Sequence, residues 1–100
     1  DVSDAIIKFM FNKKKLDKKI YWLNIGVGKD EKINHIANKI AKILDYKGKL
    51  INNLKKPDGA KSKLMNSDLS KNYGWRAKVN LDKGLEQTIS WYVNSQKSIN

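Results

Sequence analysis

The sequence predicts an α/β fold in the order helix, strand, helix, strand, short helix, helix. Apolar residues recur at helical spacing in several segments, which predicts amphipathic helices. Two short runs between them are rich in β-branched or aromatic residues, as strands are, and glycines punctuate the boundaries. One hundred residues suit one small domain with a modest core, so we expect a single segment over residues 1–96 and a frayed tail at 97–100.

The first helix is predicted over residues 2–12 and is followed by a strand. The apolar positions that define this helix are Val2, Ala5, Ile6, Phe9 and Met10. The run "NKKKLDKK" is typical of a charged surface connection. "IYWLNIG", residues 20–26, has the composition and length of a strand, and the glycines of Gly26-Val27-Gly28 predict a turn after it.

A second helix and a second strand follow. The helix is predicted over residues 31–45, with Gly48 soon after its end, and "KLIN", residues 49–52, predicts a short strand. The apolar stripe of the helix consists of Ile33, Ile36, Ala37, Ile40, Ile43 and Leu44.

The single proline lies in "KKPDGAKSKLM", where Pro57-Asp58-Gly59 predicts a turn among lysines. Asn66 or Ser67 can cap a short helix that ends before Gly74. Asn80 can cap the last helix. Its expected buried face consists of Leu81, Leu85, Thr88, Ile89 and Tyr92.

The formal charge of +11 raises the possibility of nucleic-acid binding, because clustered cations release counterions from phosphate. Arg76 is the only arginine, however, whereas base and phosphate recognition favours the guanidinium fork. Trp75 and Trp91 could stack on bases, but both lie beside apolar stripes, so we expect them to pack in the core. Composition favours a solvated lysine surface over a nucleic-acid interface.

The residue types present exclude several kinds of site. No cysteine is present, which rules out disulfides and thiolate metal sites within this chain. His35 is the only histidine, so we expect a partly exposed surface residue rather than a metal ligand, and no Ser/His/Asp or Cys/His catalytic set can form. No tyrosine is followed four residues later by lysine, the reductase spacing. No apolar run reaches the length of a membrane span, and we expect a cytoplasmic protein.

"GVGKDE", Gly26 to Glu31, has part of the pattern of a dinucleotide-binding loop. The third glycine is absent and Glu31 would face a pyrophosphate, so a tight strand-to-helix turn is the better interpretation.

Four stretches together resemble the C-terminal part of the GDP-L-fucose synthase family. They are "LNIGVGKDEKINHIANKIAKILDYKGKL", "KPDGAKSKLM", "SDLSKNYGW" and "NLDKGLEQTISWYVN". These synthases are NADPH-dependent epimerase-reductases of the extended short-chain dehydrogenase/reductase superfamily, and the resemblance covers about residues 1–96. It implies the C-terminal substrate-binding portion of a Rossmann-like fold, about the last third of an enzyme.

The resemblance also implies partners and site residues. The glycine-rich loop, the catalytic Ser/Tyr/Lys set and the NADP site would lie in an N-terminal Rossmann portion, so no cofactor-binding or catalytic residue is assigned to this chain. The ligand would be a GDP-sugar, with Asp58 and Lys63 as substrate-binding residues. A carboxylate can accept hydrogen bonds from guanine N–H groups or ribose hydroxyls, and an ammonium can neutralise a diphosphate.

Two positions depart from the family pattern. Ser62 stands where family members often have a basic residue before the lysine, and Lys32 replaces the usual Ser/Thr helix cap.

The function that the resemblance implies is GDP-sugar binding without activity of this part alone. The alternatives are a small basic nucleic-acid-binding module or a self-associating structural module, and uncovered apolar faces favour a homo-oligomer.

Overall fold

Four helices make up the regular structure of the described part of the chain. A computed structural model describes residues 1–11 and 16–97. The helices are α1 (Val2–Met10), α2 (Ile33–Ile43), α3 (Asp68–Asn72) and α4 (Leu81–Lys97). They confirm the predicted number and order of helices. Asn12, the last residue of the predicted first helix, and residues 98–100 of the predicted tail lie outside the described residues.

The two predicted strands do not form in the described part of the chain. Residues 20–26 and 49–52 contain no strand, so the alternation of helices and strands is not confirmed. A strand is stabilised by hydrogen bonds to a neighbouring strand, and neither segment has one among the described residues. Their β-branched and aromatic composition describes the side chains a sheet prefers, but it does not supply the partner.

Two helices begin with the expected side-chain hydrogen bonds. The Asn80 Oδ1 accepts from the backbone N–H of Lys83 at 2.9 Å, which caps α4. At α3 the Asn66 Oδ1 accepts from the backbone N–H of Asp68 at 2.8 Å, whereas the adjacent Ser67 makes no capping bond. Lys32, before α2, provides no side-chain cap either.

Helices α2 and α3 end in the same motif, with a left-handed residue just after the helix. After α3, Gly74 has φ +82°, its N–H donates to the Lys71 carbonyl, and the Trp75 N–H donates to the Ser70 carbonyl. After α2 the left-handed residue is Asp45, at φ +50°, and the Tyr46 N–H donates to the Ala41 carbonyl. Both patterns are Schellman motifs, and only the first uses the glycine that the motif prefers.

The chain divides into two compact units, each built from two segments. The first unit combines Asp1–Asp30 with Ser62–Lys78, and the second combines Glu31–Lys61 with Val79–Asn100. The extent of the predicted segment over 1–96 stays a prediction.

The first unit contains α1, α3 and the small core. Its buried side chains are Ala5, Ser67, Ser70 and Trp75. Long-range polar contacts join its two segments: the Lys8 ammonium donates to the Gly74 carbonyl, and the Asp1 carboxylate accepts from the Lys78 N–H. The prediction that Trp75 packs in the core is confirmed.

The second unit consists of α2 packed on α4. The half-buried apolar residues are Ile36, Ala37, Ile40 and Ala41 on α2, and Leu85, Ile89 and Val93 on α4. Lys39 forms an ion pair with Asp82 across the two helices.

Several expected core positions of the second unit are exposed. Trp91 is 69% exposed, so the prediction that it packs in the core is wrong for the described chain. Ile33, a member of the apolar stripe of α2, is 79% exposed. Ile43, Leu44, Leu81, Thr88 and Tyr92 are exposed as well. Each helix is apolar around more of its circumference than its single partner helix can cover. No helix in residues 1–11 and 16–97 combines the length and apolarity needed to cross a membrane.

Candidate functional site

The loop that carries Asp58 is shaped by asparagine rather than by proline and glycine. The Asn53 carbonyl accepts from the Lys56 N–H at 3.2 Å, and the Asn53 Oδ1 accepts from the Lys55 N–H at 3.1 Å. The hydrogen-bonded turn therefore covers 53–56, just before Pro57-Asp58-Gly59. The turn predicted at Pro57-Asp58-Gly59 itself does not form in the described chain.

Asp58 lies in a polar groove of about 430 Å³ within the second unit. Its lining residues are Asn34, Asn52, Asn53, Leu54, Lys56 and Asp58. The side chains of Asn34, Asn52, Lys56 and Asp58 are exposed, and none of them has a hydrogen bond or ion pair to another described residue. The groove therefore presents a free carboxylate, a free ammonium and several carboxamides.

Lys63, the other predicted binding residue, belongs to the first unit. Its side chain is exposed and has no polar partner among the described residues, so its ammonium is available to an anion. The neighbouring Ser62 donates to the Asp30 carboxylate. The residue that departs from the family pattern thus joins the two segments of the first unit. Lys63 lies outside any helix or strand of the described chain.

The glycine turn of the "GVGKDE" loop packs against α3. Gly28 has φ +78°, and a Cβ built there would lie 3.3 Å from the Lys71 Nζ and 3.5 Å from the Ser67 Oγ. The Lys71 and Ser67 side chains thus border Gly28. The positive φ of Gly28 bends the chain at the position where a turn was predicted.

His35 is partly exposed, as predicted, and its partner is one helical turn away. The His35 Nδ1 lies 2.7 Å from the Glu31 Oε2. Nowhere in residues 1–11 and 16–97 do three histidine or carboxylate side chains come together as metal ligands would.

An apolar groove of about 410 Å³ runs along α1 in the first unit. It is lined by Val2, Ala5, Ile6, Phe9, Met10, Leu23 and Ile25. Val2, Ile6 and Met10 are each more than half exposed. The residues that predicted the first helix and first strand thus form an uncovered apolar surface.

Curated proteins similar to this chain have names that identify them as GDP-sugar synthases. A probable GDP-L-fucose synthase 1 of Oryza sativa subsp. japonica is 35% identical over 95 residues, which is 95% of this chain and 28% of that protein. A GDP-L-colitose synthase of Yersinia pseudotuberculosis is 34% identical over 98 residues, 98% of this chain and 31% of that protein. The GDP-L-fucose synthase of Escherichia coli K12 is 35% identical over 74 residues, 74% of this chain and 23% of that protein.

No protein-family model matches the chain, and no solved structure matches it significantly. The chain is thus similar to proteins named as GDP-sugar synthases. Several of them are GDP-L-fucose synthases, which confirms the resemblance drawn from the motifs. The chain spans less than a third of the length of these relatives, consistent with a C-terminal part of such an enzyme.

Asp58 was predicted from the family resemblance, whereas the amides that share its groove were not predicted. Asn52 and Asn53 lie just before the loop in "LINNLKKPDG", so their proximity to Asp58 could have been inferred from the sequence. Asn34 could not, because it lies on α2 and reaches the groove only through folding of the second unit.

Proposed function

We propose that this chain is the GDP-sugar-binding C-terminal part of a GDP-L-fucose synthase-like epimerase-reductase and has no activity by itself. The observation that carries the proposal is its similarity to GDP-sugar synthases along 95–98% of its length. The names of those relatives share GDP and differ in the sugar, fucose or colitose, so we assign the nucleotide and leave the sugar open.

Two exposed charges support the binding role. Asp58 offers a carboxylate that can accept from N–H or hydroxyl groups, and Lys63 offers an ammonium that can neutralise a diphosphate. Neither charge has an ion-pair partner among the described residues that a ligand would have to displace.

The apolar groove on α1 supports the proposal that another part of the enzyme packs on this surface. In this proposal the groove is covered by the N-terminal Rossmann portion, which also holds NADP and the reductase residues. Burial of apolar surface is the usual driving force for such an association. The cytoplasm is the expected location of the assembled enzyme.

Titration of GDP and GDP-mannose into the chain, followed by NMR, tests the binding role, with UDP as the control nucleotide. We expect both guanine nucleotides to shift resonances at Asp58 and Lys63. Lys63→Ala should weaken binding, whereas Lys61→Ala removes an equal charge two residues away and should not. Absence of shifts at both residues with every nucleotide would refute the proposal.

Self-association is the second candidate function, and the exposed apolar residues favour it. Light scattering at rising concentration should show a dimer or larger oligomer if copies of the chain cover each other's grooves. A monomer at all concentrations would exclude it. The nucleic-acid alternative predicts oligonucleotide binding that weakens steeply with salt and is indifferent to GDP.

A further inference from the structure

The peptide bond between Asp58 and Gly59 lies in an open stretch of the chain. Residues 57–60 belong to no helix, strand or turn, and all of them are exposed. The Gly59 N–H donates to no backbone carbonyl of the described residues, and the Asp58 carboxylate has no hydrogen bond or ion pair among them. No such interaction therefore holds the Gly59 nitrogen away from the Asp58 carboxyl group.

Gly59 is free of steric and conformational demands. A Cβ built on it would meet no heavy atom within 4 Å, and its φ lies outside the left-handed region. Neither close packing nor backbone conformation therefore requires a glycine at this position. The glycine does allow the backbone beside Asp58 a range of conformations that no other residue type permits.

Asp58 is the only aspartate that precedes a glycine, and no asparagine does. A useful comparison within the chain is Asp45, whose side chain is 81% exposed. The next residue is Tyr46, and its N–H donates to the Ala41 carbonyl at 2.9 Å. The amide after Asp45 is therefore engaged and carries a bulky side chain, whereas the amide after Asp58 is unhindered.

We infer that Asp58 is a site of spontaneous covalent modification, which converts it to isoaspartate through a cyclic imide. The Gly59 nitrogen attacks the Asp58 Cγ, so a C–N bond forms and a C–O bond breaks. The carboxyl hydroxyl and the amide hydrogen leave together as one water. Water then opens the five-membered ring: attack at Cγ restores aspartate, and attack at the main-chain carbonyl gives isoaspartate. Nothing is oxidised or reduced, and water is the only co-reactant.

The modification changes the polar groove in which Asp58 lies. In isoaspartate the main chain runs through Cγ and gains one methylene, while the carboxylate is attached directly to Cα. The net charge is preserved, but the carboxylate moves relative to Asn34 and Lys56, which line the same groove. We expect the modified loop to bind GDP more weakly, and this consequence alone rests on the proposed function.

Incubation of the chain in water enriched in a heavy oxygen isotope tests the inference. Each passage through the imide leaves one heavy oxygen in residue 58, which mass spectrometry of the tryptic peptide 56–61 detects. Chromatography of the same peptide separates aspartate from isoaspartate. We expect label and isoaspartate at Asp58 and neither at Asp45. Equal labelling of the two aspartates would overturn the inference.

A synthetic peptide of residues 53–64 shows whether the fold leaves the loop open. Mobile loops open at a free-energy cost near zero, so the chain should isomerise within about ten-fold of the rate of the peptide. A larger slowing in the folded chain would overturn the inference, because it would show that the fold restrains the reacting groups.

Gly59→Ala and Asp58→Glu are the matched variants. Alanine fits the open space at residue 59 but has less backbone freedom, so isomerisation should slow by about three-fold or more. Glutamate keeps the carboxylate but cannot close a five-membered ring, so label and rearrangement should disappear. Circular dichroism checks that the helices are unchanged. An unchanged rate in Gly59→Ala would contradict the proposed reaction.

Titration of GDP into the purified isoaspartate form separates this inference from the proposed function. We expect weaker binding than to the fresh chain. Isoaspartate formation with unchanged GDP affinity would refute Asp58 as a nucleotide contact and leave the modification site established. Absence of isoaspartate in a chain that binds GDP would overturn the modification site alone.

Discussion

Replacing Gly74 with alanine should destabilise the first unit, because Gly74 is the left-handed residue that ends α3. At φ +82° an alanine loses about 1–2 kcal/mol relative to glycine. Alanine also lowers the conformational entropy of the unfolded chain, which stabilises the folded state by about 0.4–1 kcal/mol. The expected net loss of stability is therefore about 1 kcal/mol. The added Cβ would lie 3.5 Å from the Lys8 Nζ, an ordinary contact with a flexible side chain, and should add little.

Urea unfolding followed by tryptophan fluorescence measures this effect. Trp75 is 5% exposed and directly follows Gly74, whereas Trp22 and Trp91 are 75% and 69% exposed, so Trp75 should dominate the signal change. With a urea dependence of about 1–2 kcal/mol per molar for a small protein, the midpoint should fall by about 0.5–1 M.

Two control variants isolate the backbone effect. Gly74→Asn should retain more stability than Gly74→Ala, because asparagine tolerates the left-handed region better. Gly84→Ala, in the interior of α4, should have the opposite sign and stabilise that helix by up to about 1 kcal/mol, since its Cβ would meet Val79 at an ordinary 3.7 Å. An unchanged or raised midpoint for Gly74→Ala would refute the left-handed assignment at this position.

Three further predictions concern single side chains. Asp45→Gly should raise stability by a few tenths to about 1 kcal/mol in thermal unfolding, because it relieves the left-handed strain after α2; a loss of stability would contradict the motif. Trp75→Ala should cost about 3 kcal/mol or more, whereas Trp91→Ala should change stability by no more than about 0.5 kcal/mol, and equal losses in urea would contradict the burial pattern. Asn66→Ala should cost about 1 kcal/mol and speed exchange of the Asp68 amide hydrogen, and unchanged exchange would argue against the hydrogen bond there.

The helices could be predicted from the sequence because their information is local. The spacing of apolar residues predicted α1, α2 and α4, whereas α3 was predicted from its ends. Asn66, Asn80 and Gly74 marked helix ends with side chains or dihedral angles that act within a few residues. The end of α2 was missed, because Asp45 rather than glycine adopts the left-handed conformation there.

Strands and burial depend on partners, which local patterns do not specify. Residues 20–26 have the β-branched and aromatic side chains that are typical of a strand. No neighbouring strand exists among the described residues to pair with them. Trp91 lies beside an apolar stripe like Trp75, yet only Trp75 is covered. The same holds for the candidate site. Asp58 was predicted from the family resemblance, and the proximity of Asn52 and Asn53 to it could have been inferred from the sequence. The position of Asn34 at the groove could be seen only in the structure.

The interleaved segments of the two units have a consequence for the order in which the protein can form during synthesis. The first unit is complete only when Ser62–Lys78 is present. The Asp1 carboxylate accepts a hydrogen bond from the backbone N–H of Lys78, which lies 77 residues later. Within this chain, α1 is therefore synthesised before the segment that completes its unit. Closing so long a loop carries an entropic cost that grows slowly with length. Neither unit can be excised as one continuous stretch, so we expect a truncation before residue 78 to abolish the first unit as a whole.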